Sequence, residues 1–535
     1  MANAAARADE KLEIVVNGQI ELGAEQVLDT EDPFDAKDGF APEAYGKTGG
    51  KRWTRLLSPV TPHLDVDRRL LEHKLVRSTL PLPMSDQGLV LQYGILGGPG
   101  SGKTNLMMHL LHQIMAHERG NPGLKYGGLI LDPKAALIAE VREIFRRLDR
   151  PEDLIVVNET DLAKEGVNVI DCTLAPADLG EALVLAARSA GIGASEPFWL
   201  QQMAKVFGSV IALMKYRCPN EPPTLAQIMD VAVGHGILQG TIKIVRDHME
   251  KRSPDDPILK NIKVELEILD RYASASDPKQ RQVVSQIMEQ AFSIFRLSEN
   301  ACYSANRAPR QRSLYDQIIE DGKVILVSVG PQKLVLSRIL PSLMKLIFQR
   351  TVLSRFDRYR NKDPQVRIRN KDRPVLFLAD EYHTVATQLE GVPFGDSEFF
   401  SQARQFGALC LVATQSVEQL QRSGLGDAWK AVFATLAAIV FMRGQDPATR
   451  QYLEEVAGPR DYYVRTRSRS RSEGEEGSNV SVDQIEAPSI PKGLLEGFVR
   501  GDAVVVGTTQ GTTEPTTIRY VHVPKWKKFK PQWAA

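Results

Sequence analysis

Short apolar runs that end in polar or acidic residues recur along the chain, and several lead into glycine-rich or helical stretches. Residues 89–96 (LVLQYGIL) read as a buried strand, and residues 105–117 (NLMMHLLHQIMAH) have the apolar spacing of a helix. The runs LILDPK (129–134), VLFLADE (375–381), ALCLVAT (408–414) and AAIVFM (437–442) read as further strands. From about residue 176 to about 312 the spacing is helical, as in FWLQQMAKVFGSVIALMKY (198–216), and no convincing strand occurs. Strands apolar on both faces and interleaved with helices predict an α/β fold with a mostly parallel sheet flanked by helices. The longest apolar stretch, residues 431–442, has 12 residues including a threonine, so it reads as buried strand or helix and no membrane-crossing helix is expected. The first residues lack the apolar centre of a signal peptide. No repeat of solenoid or propeller period is present.

Composition changes this picture little, but charge does. A chain of 535 residues can bury a large core without covalent staples. The four cysteines (Cys172, Cys218, Cys302, Cys410) include no CxxC pair, which excludes a disulfide framework and a zinc ribbon and suits a reducing cytoplasmic setting. The net charge of +1 speaks against a simple nucleic-acid-coating protein. That average hides segregation, since residues 1–50 carry −7 and the remainder +8. The acidic part reads either as a flexible extension or as a short strand with linkers, and either as a solvated tail or as a partner-binding or DNA-mimicking arm. Residues 350–373 carry +6; their first part continues a helix that Asp363-Pro364 ends. Residues 465–472 (RTRSRSRS) lack apolar side chains and read as a mobile loop. Residues 525–530 (KWKKFK) suit contact with phosphates and bases, or a solvated tail with docked aromatics.

Candidate chemistry concentrates at the strand ends. Residues 97–104 (GGPGSGKT) fit G-x-x-x-x-G-K-[ST] between a strand and a helix. In such a loop Gly97, Gly98, Pro99, Gly100, Ser101 and Gly102 let backbone N–H groups turn toward phosphate oxygens, with the helix dipole behind them. Lys103 would reach the β- and γ-phosphates and Thr104 would ligate Mg2+. Asp380 and Glu381 end a strand of four large apolar residues, as a metal-side acid and a water-polarising base would, or they simply cap the following turn. Lys134, aimed outward by Pro133, reads as a nucleotide or subunit contact or as a plain surface lysine. Gln415 at the end of its strand could sense a γ-phosphate or hold the lytic water. Arg404, eleven residues earlier, could serve a phosphoryl transition state in cis or from a neighbouring subunit, with Arg443 as second candidate; a structural salt bridge is the alternative for both.

In this order, GGPGSGKT, LILDPK, a long helical insert, DGKVILVSVG (321–330), LADE, an arginine and TQSVEQL (414–420) resemble the TraG/TraD-type coupling ATPases of conjugation and type IV secretion. They resemble the FtsK and HerA DNA translocases more distantly. The resemblance covers about residues 85–460. It implies a RecA-like P-loop core with an inserted all-α domain, and ATP and Mg2+ as cofactors. It implies hydrolytic roles for Lys103, Thr104, Asp380 and Glu381, a sensor role for Gln415 and an arginine-finger role for Arg404. It further implies a homo-hexameric ring, with all-α domains at the end where DNA enters. Membrane-anchored relatives begin with transmembrane helices, which this sequence lacks, and DPK continues as AAL where many relatives have Gly-Glu.

The expected organisation is an acidic extension (1–60), a first nucleotide-domain part (61–175), an all-α insert (176–312) and a second part (313–535) with a mobile loop at 464–484 and a basic tail. The expected function is that of an ATP-hydrolysing ring in the cytoplasm that moves or recruits single- or double-stranded DNA or nucleoprotein, either brought to the inner membrane by a separate membrane partner or serving a mobile element or defence system as a cytosolic motor. Two other readings stand beside it: an ATP-regulated recruitment platform for a relaxase or other protein cargo, and a HerA-like motor that works with a partner nuclease.

Overall fold

The computed structural model describes residues 24–28, 75–81 and most of 88–526, with gaps at 119, 122, 164, 193–196, 253–255, 275–277, 306–311, 356–372, 389–394, 473–474, 491–492, 510–516 and 524. Most of the acidic arm, the centre of the basic segment 350–373 and the tail beyond 526 lie outside the described residues. Within the arm, β1 (Ala24–Leu28) is a strand, paired on one side with β2 (Leu75–Pro81), so this part of the extension joins the body.

Seven strands form the parallel centre of the sheet. They are β3 (Gln92–Leu96), β4 (Gly127–Asp132), β5 (Leu154–Val157), β6 (Val324–Ser328), β7 (Val375–Ala379), β8 (Ala408–Thr414) and β9 (Ala438–Met442). Their spatial order is β9-β3-β8-β7-β4-β6-β5. Beyond β9 the direction reverses: β12 (Asp502–Gly507) and β13 (Thr517–His522) add antiparallel strands, and β1 and β2 complete eleven. All parallel strands therefore present their C-terminal ends at one edge, where ligands of open α/β sheets bind.

Side chains alternate across this sheet as a two-residue period requires. Leu129, Leu131, Phe377, Cys410 and Phe441 face one core, and Ile130, Leu376, Leu378, Leu411 and Val440 face the other. The second face is covered by α1 (Lys103–Ala116) and α2 (Ile138–Arg147), through Leu106, Leu110, Ile114, Ile144 and Phe145. Both faces are dry, which explains why these strands read as unbroken apolar runs.

The first face carries the helical insert. Between β5 and β6 run α3 (Pro176–Ser189), α4 (Pro197–Arg217), α5 (Leu225–Val233), α6 (His235–Met249), α7 (Pro257–Ala273) and α8 (Pro278–Phe292), with no β-strand among the described residues. The insert packs against α9 (Leu336–Leu353), and one continuous core joins its apolar side chains to those of α9 and the sheet. Arg350 of α9 donates to Asp178 and Glu181 of α3, a bridge across that junction. The nearest approach to a membrane span among the described residues is α5 with α6, bent by 100°; no single helix is long and apolar enough.

The segment expected as a mobile loop is instead an antiparallel ribbon. β10 (Pro459–Ser472) and β11 (Glu475–Pro488) pair along their full length as a separate two-stranded sheet, with Pro459 opposite Pro488. Main-chain hydrogen bonds, which need no apolar residues, define this element.

Candidate nucleotide site

The glycine-rich loop follows β3 directly and is fixed on several sides. Gly97 N–H donates to Thr414 O at the end of β8 (3.3 Å), and Gly98 N–H donates to Arg443 O after β9 (2.8 Å). From the antiparallel extension, Gly501 N–H donates to Ser101 O (3.0 Å). Gly102 has φ +113°, which a side chain would strain, and a Cβ on Gly97 would stand 2.8 Å from Ser101 Oγ and from Met442 Cβ. No side chain caps the first turn of α1, so its N–H groups are available to an anion. Ser101 Oγ is buried without a hydrogen-bond partner in this loop.

Lys103 turns back over the loop, donating to Gly97 O (2.5 Å) and more weakly to Gly98 O (3.4 Å). Burial lowers its pKa, while Glu381 and Asp380 act in the opposite sense. Thr104 beside it is exposed. The paired acids end β7, which is separated from the loop strand β3 by β8. Asp380 is buried, and its carboxyl is pushed up to about 6 by burial and then by neighbouring Glu381. The Asp380 carboxyl, acted on by the charges of Lys134 and Lys103, and the exposed Thr104 hydroxyl are both hard oxygen donors of the kind a divalent cation takes.

Glu381 is also buried, yet its pKa is lowered. Burial would raise it, but hydrogen bonds from Lys134 and Gln415 and the charges of Lys134 and Lys103 outweigh that. Both donors use the same oxygen: Lys134 Nζ and Gln415 Nε2 (2.9 Å) meet Glu381 Oε1. Oε2 is left without a hydrogen bond, 3.5 Å from His383 Nδ1. His383 in turn lies 3.1 Å from Thr414 Oγ1, and burial lowers its pKa. Glu381 thus has one oxygen fixed and the other buried and unpartnered, an acceptor that a group brought into the site would satisfy.

Sequence reading missed two features here. Lys134 is not a plain surface lysine; its partner lies 247 residues away, a separation that no local pattern reveals. His383 carried no motif. Asp132, which ends the other acidic strand, is used structurally: its Oδ2 accepts from Leu137 N–H (2.8 Å) and Ser328 Oγ (2.9 Å).

Arg404 is not brought to this site within the chain. It lies in the turn before Gly407, whose carbonyl accepts from Val375 N–H at the start of β7. It therefore sits at the N-terminal edge of the parallel strands, a β8 length of about 20 Å from Gln415. The cis alternative fails for that reason: the ten residues between Arg404 and Gln415 are mostly strand. Arg443 is near, because its own carbonyl holds Gly98 N–H, and its side chain is exposed.

Fold and site together define an α/β protein of the P-loop kind. Residues 374–496 match the family model described as the TraM recognition site of TraD and TraG. The whole body is similar to solved structures of a plasmid conjugative coupling protein. The complex of plasmid coupling protein TrwB with ADP and Mg2+ has TM-score 0.54 at 12% identity, covering 84% of this chain and 89% of that one. The complex of TrwB with a non-hydrolysable GTP analogue has TM-score 0.53 at 13% identity, with the same coverage. The unbound monoclinic form of TrwBdeltaN70 has TM-score 0.53 at 13% identity, covering 83% and 86%. No curated protein matches the sequence. The expected resemblance to TraG/TraD-type coupling proteins thus holds for the RecA-like P-loop fold of the body and, by sequence, for residues 374–496.

Proposed function

We propose that this chain is a coupling-protein ATPase that hydrolyses ATP with Mg2+ and uses the cycle to move DNA or nucleoprotein through a homo-hexameric ring. The observation that carries this reading is the convergence at one sheet edge of the glycine-rich loop, Asp380, Glu381 and Gln415. In this reading the loop from Gly97 to Gly102 cradles the phosphates, Lys103 swings from Gly97 O to the β- and γ-phosphates, and Thr104 and Asp380 hold the metal. Mg2+ held there would neutralise negative charge on the phosphates. Glu381 Oε2 accepts the proton of the attacking water, whose oxygen bonds to the γ-phosphorus as the bond to the β-bridging oxygen breaks and ADP leaves. Gln415 fixes the other oxygen of Glu381, and Arg404 belongs to the site of a neighbouring subunit. That TrwB structures contain ADP with Mg2+ supports the cofactors. We divide the body as expected from sequence, with residues 176–312 inserted between two halves of the nucleotide domain.

The test is ATP turnover with and without single- and double-stranded DNA at low salt. We expect DNA-stimulated hydrolysis that falls by at least about 100-fold in Lys103→Ala and Glu381→Gln, with nucleotide binding retained in Glu381→Gln. Equal hydrolysis with and without DNA would remove the motor. A recruitment platform for protein cargo is the second reading, favoured by the family description attached to residues 374–496. It expects partner capture that survives Glu381→Gln.

A further inference from the structure

Lys134 is a half-exposed lysine whose amine grips a buried carboxylate. Its side chain is 49% exposed and that of Glu381 is 3% exposed. It stands after Pro133 at the loop edge of the sheet, so its stem is free to swing. Its charge is felt at Lys103, Asp380, Glu381 and His383, which places the ammonium among the groups that would surround a terminal phosphate. Its contact on Glu381 Oε1 is shared with Gln415, so Glu381 keeps one donor on that oxygen if Lys134 departs. A terminal phosphoryl group carries more negative charge than one carboxylate and offers three oxygens, so it competes well for an ammonium with three donors.

We propose that Lys134 is a latch worked by the γ-phosphate: with the loop empty it ties Glu381 Oε1, and with a nucleoside triphosphate in the loop its ammonium moves to the terminal phosphoryl oxygens. The transfer does two things at once. It adds a cation in cis to the transferring group, and it leaves Glu381 Oε1 with Gln415 as its donor in place of two. A diphosphate has no group to draw Lys134 away, so Lys134 returns to Glu381 once the cleaved phosphate leaves. This inference rests on the nucleotide reading above.

The discriminating measurement is equilibrium binding of ADP and of a non-hydrolysable ATP analogue, both with Mg2+. For Lys134→Met we expect analogue affinity about tenfold weaker and ADP affinity within about twofold of the parent chain. The same substitution is then made in Glu381→Gln, where there is no ion pair to break. Glu381→Gln alone should bind the analogue more tightly than the parent, and adding Lys134→Met should remove that gain. Lys134→Arg should restore much of the discrimination between analogue and ADP. If Lys134 only positions Glu381, then Lys134→Met has no effect on analogue affinity in the Glu381→Gln background, and the latch is overturned. Equal weakening of ADP and analogue overturns it too. If the parent chain binds neither nucleotide, the nucleotide reading itself fails, an outcome distinct from both.

Discussion

Glu381 has φ +49° and ψ +48°, a left-handed conformation uncommon for a residue with a side chain. The backbone is pinned there by its surroundings. Tyr382, the next residue, donates to Asp396 Oδ2 (2.7 Å) in a buried cluster with Lys345 Nζ on both carboxylate oxygens (2.7 Å each) and Gln349 Nε2 on Oδ1 (2.9 Å). The Asp380 carboxylate, just before, accepts from Glu381 N–H at Oδ1 (3.0 Å), and burial still dominates it. Its pKa of about 6 in the fold exceeds the 3.8 of an unperturbed aspartate. Between about pH 4 and 6 the folded chain therefore holds a proton that the unfolded chain has released, and stability from this group falls as pH rises through that window. We expect metal- and nucleotide-free Asp380→Asn to be more stable than the parent above pH 6, the gap closing as pH falls toward 4. Urea unfolding across pH reads this directly. A variant less stable at pH 7 would mean that a cation already supports the carboxylate.

At the scale of elements, what the sequence reveals depends on how local its cause is. The loop, its strand and α1 were legible because one glycine pattern and two apolar periods lie within about 30 residues. The acids were legible because β7 is apolar up to Asp380. The ribbon β10–β11 was not, because an alternation of Arg with Ser and Thr has no apolar face and composition alone reads as loop. The KWKKFK segment is settled only at Trp526, which is buried against His112 and Arg147 and donates its main-chain N–H to Asn105 Oδ1 (3.0 Å). The C-terminal strands thus brace the loop helix, which no motif announced. The ribbon, by contrast, is a sheet of its own. Because Pro459 and Pro488 are Cα partners, about 5.5 Å or less separates its ends. Replacing residues 460–487 with two glycines should leave the melting temperature and nucleotide affinity of the core nearly unchanged. A large loss in either would make the ribbon part of the core, while loss of partner capture alone would assign it to recognition.

At the scale of the whole molecule, the sheet has a chemical edge and an opposite edge, and Arg404 is on the opposite one. A side chain about 20 Å from Gln415 does not reach its own phosphate site, so any catalytic service from Arg404 goes to another subunit. Closed rings of identical subunits supply that geometry, since each site meets the same face of its neighbour. The consequence can be measured by mixing. Glu381→Gln subunits lack the Glu381 carboxylate but keep Arg404, and Arg404→Ala subunits lack the arginine but keep that carboxylate. Each pure preparation should be nearly inactive. In an equal, random mixture about a quarter of interfaces pair an intact Glu381 with an intact neighbouring Arg404, so about a quarter of parental turnover should return. Recovery depends on exchange, so it should appear only when subunits are mixed before ring assembly. No recovery, with rings confirmed by sizing, would leave Arg404 a structural residue. Full activity in Arg404→Ala alone would do the same and would pass the trans role to exposed Arg443 or to no arginine at all.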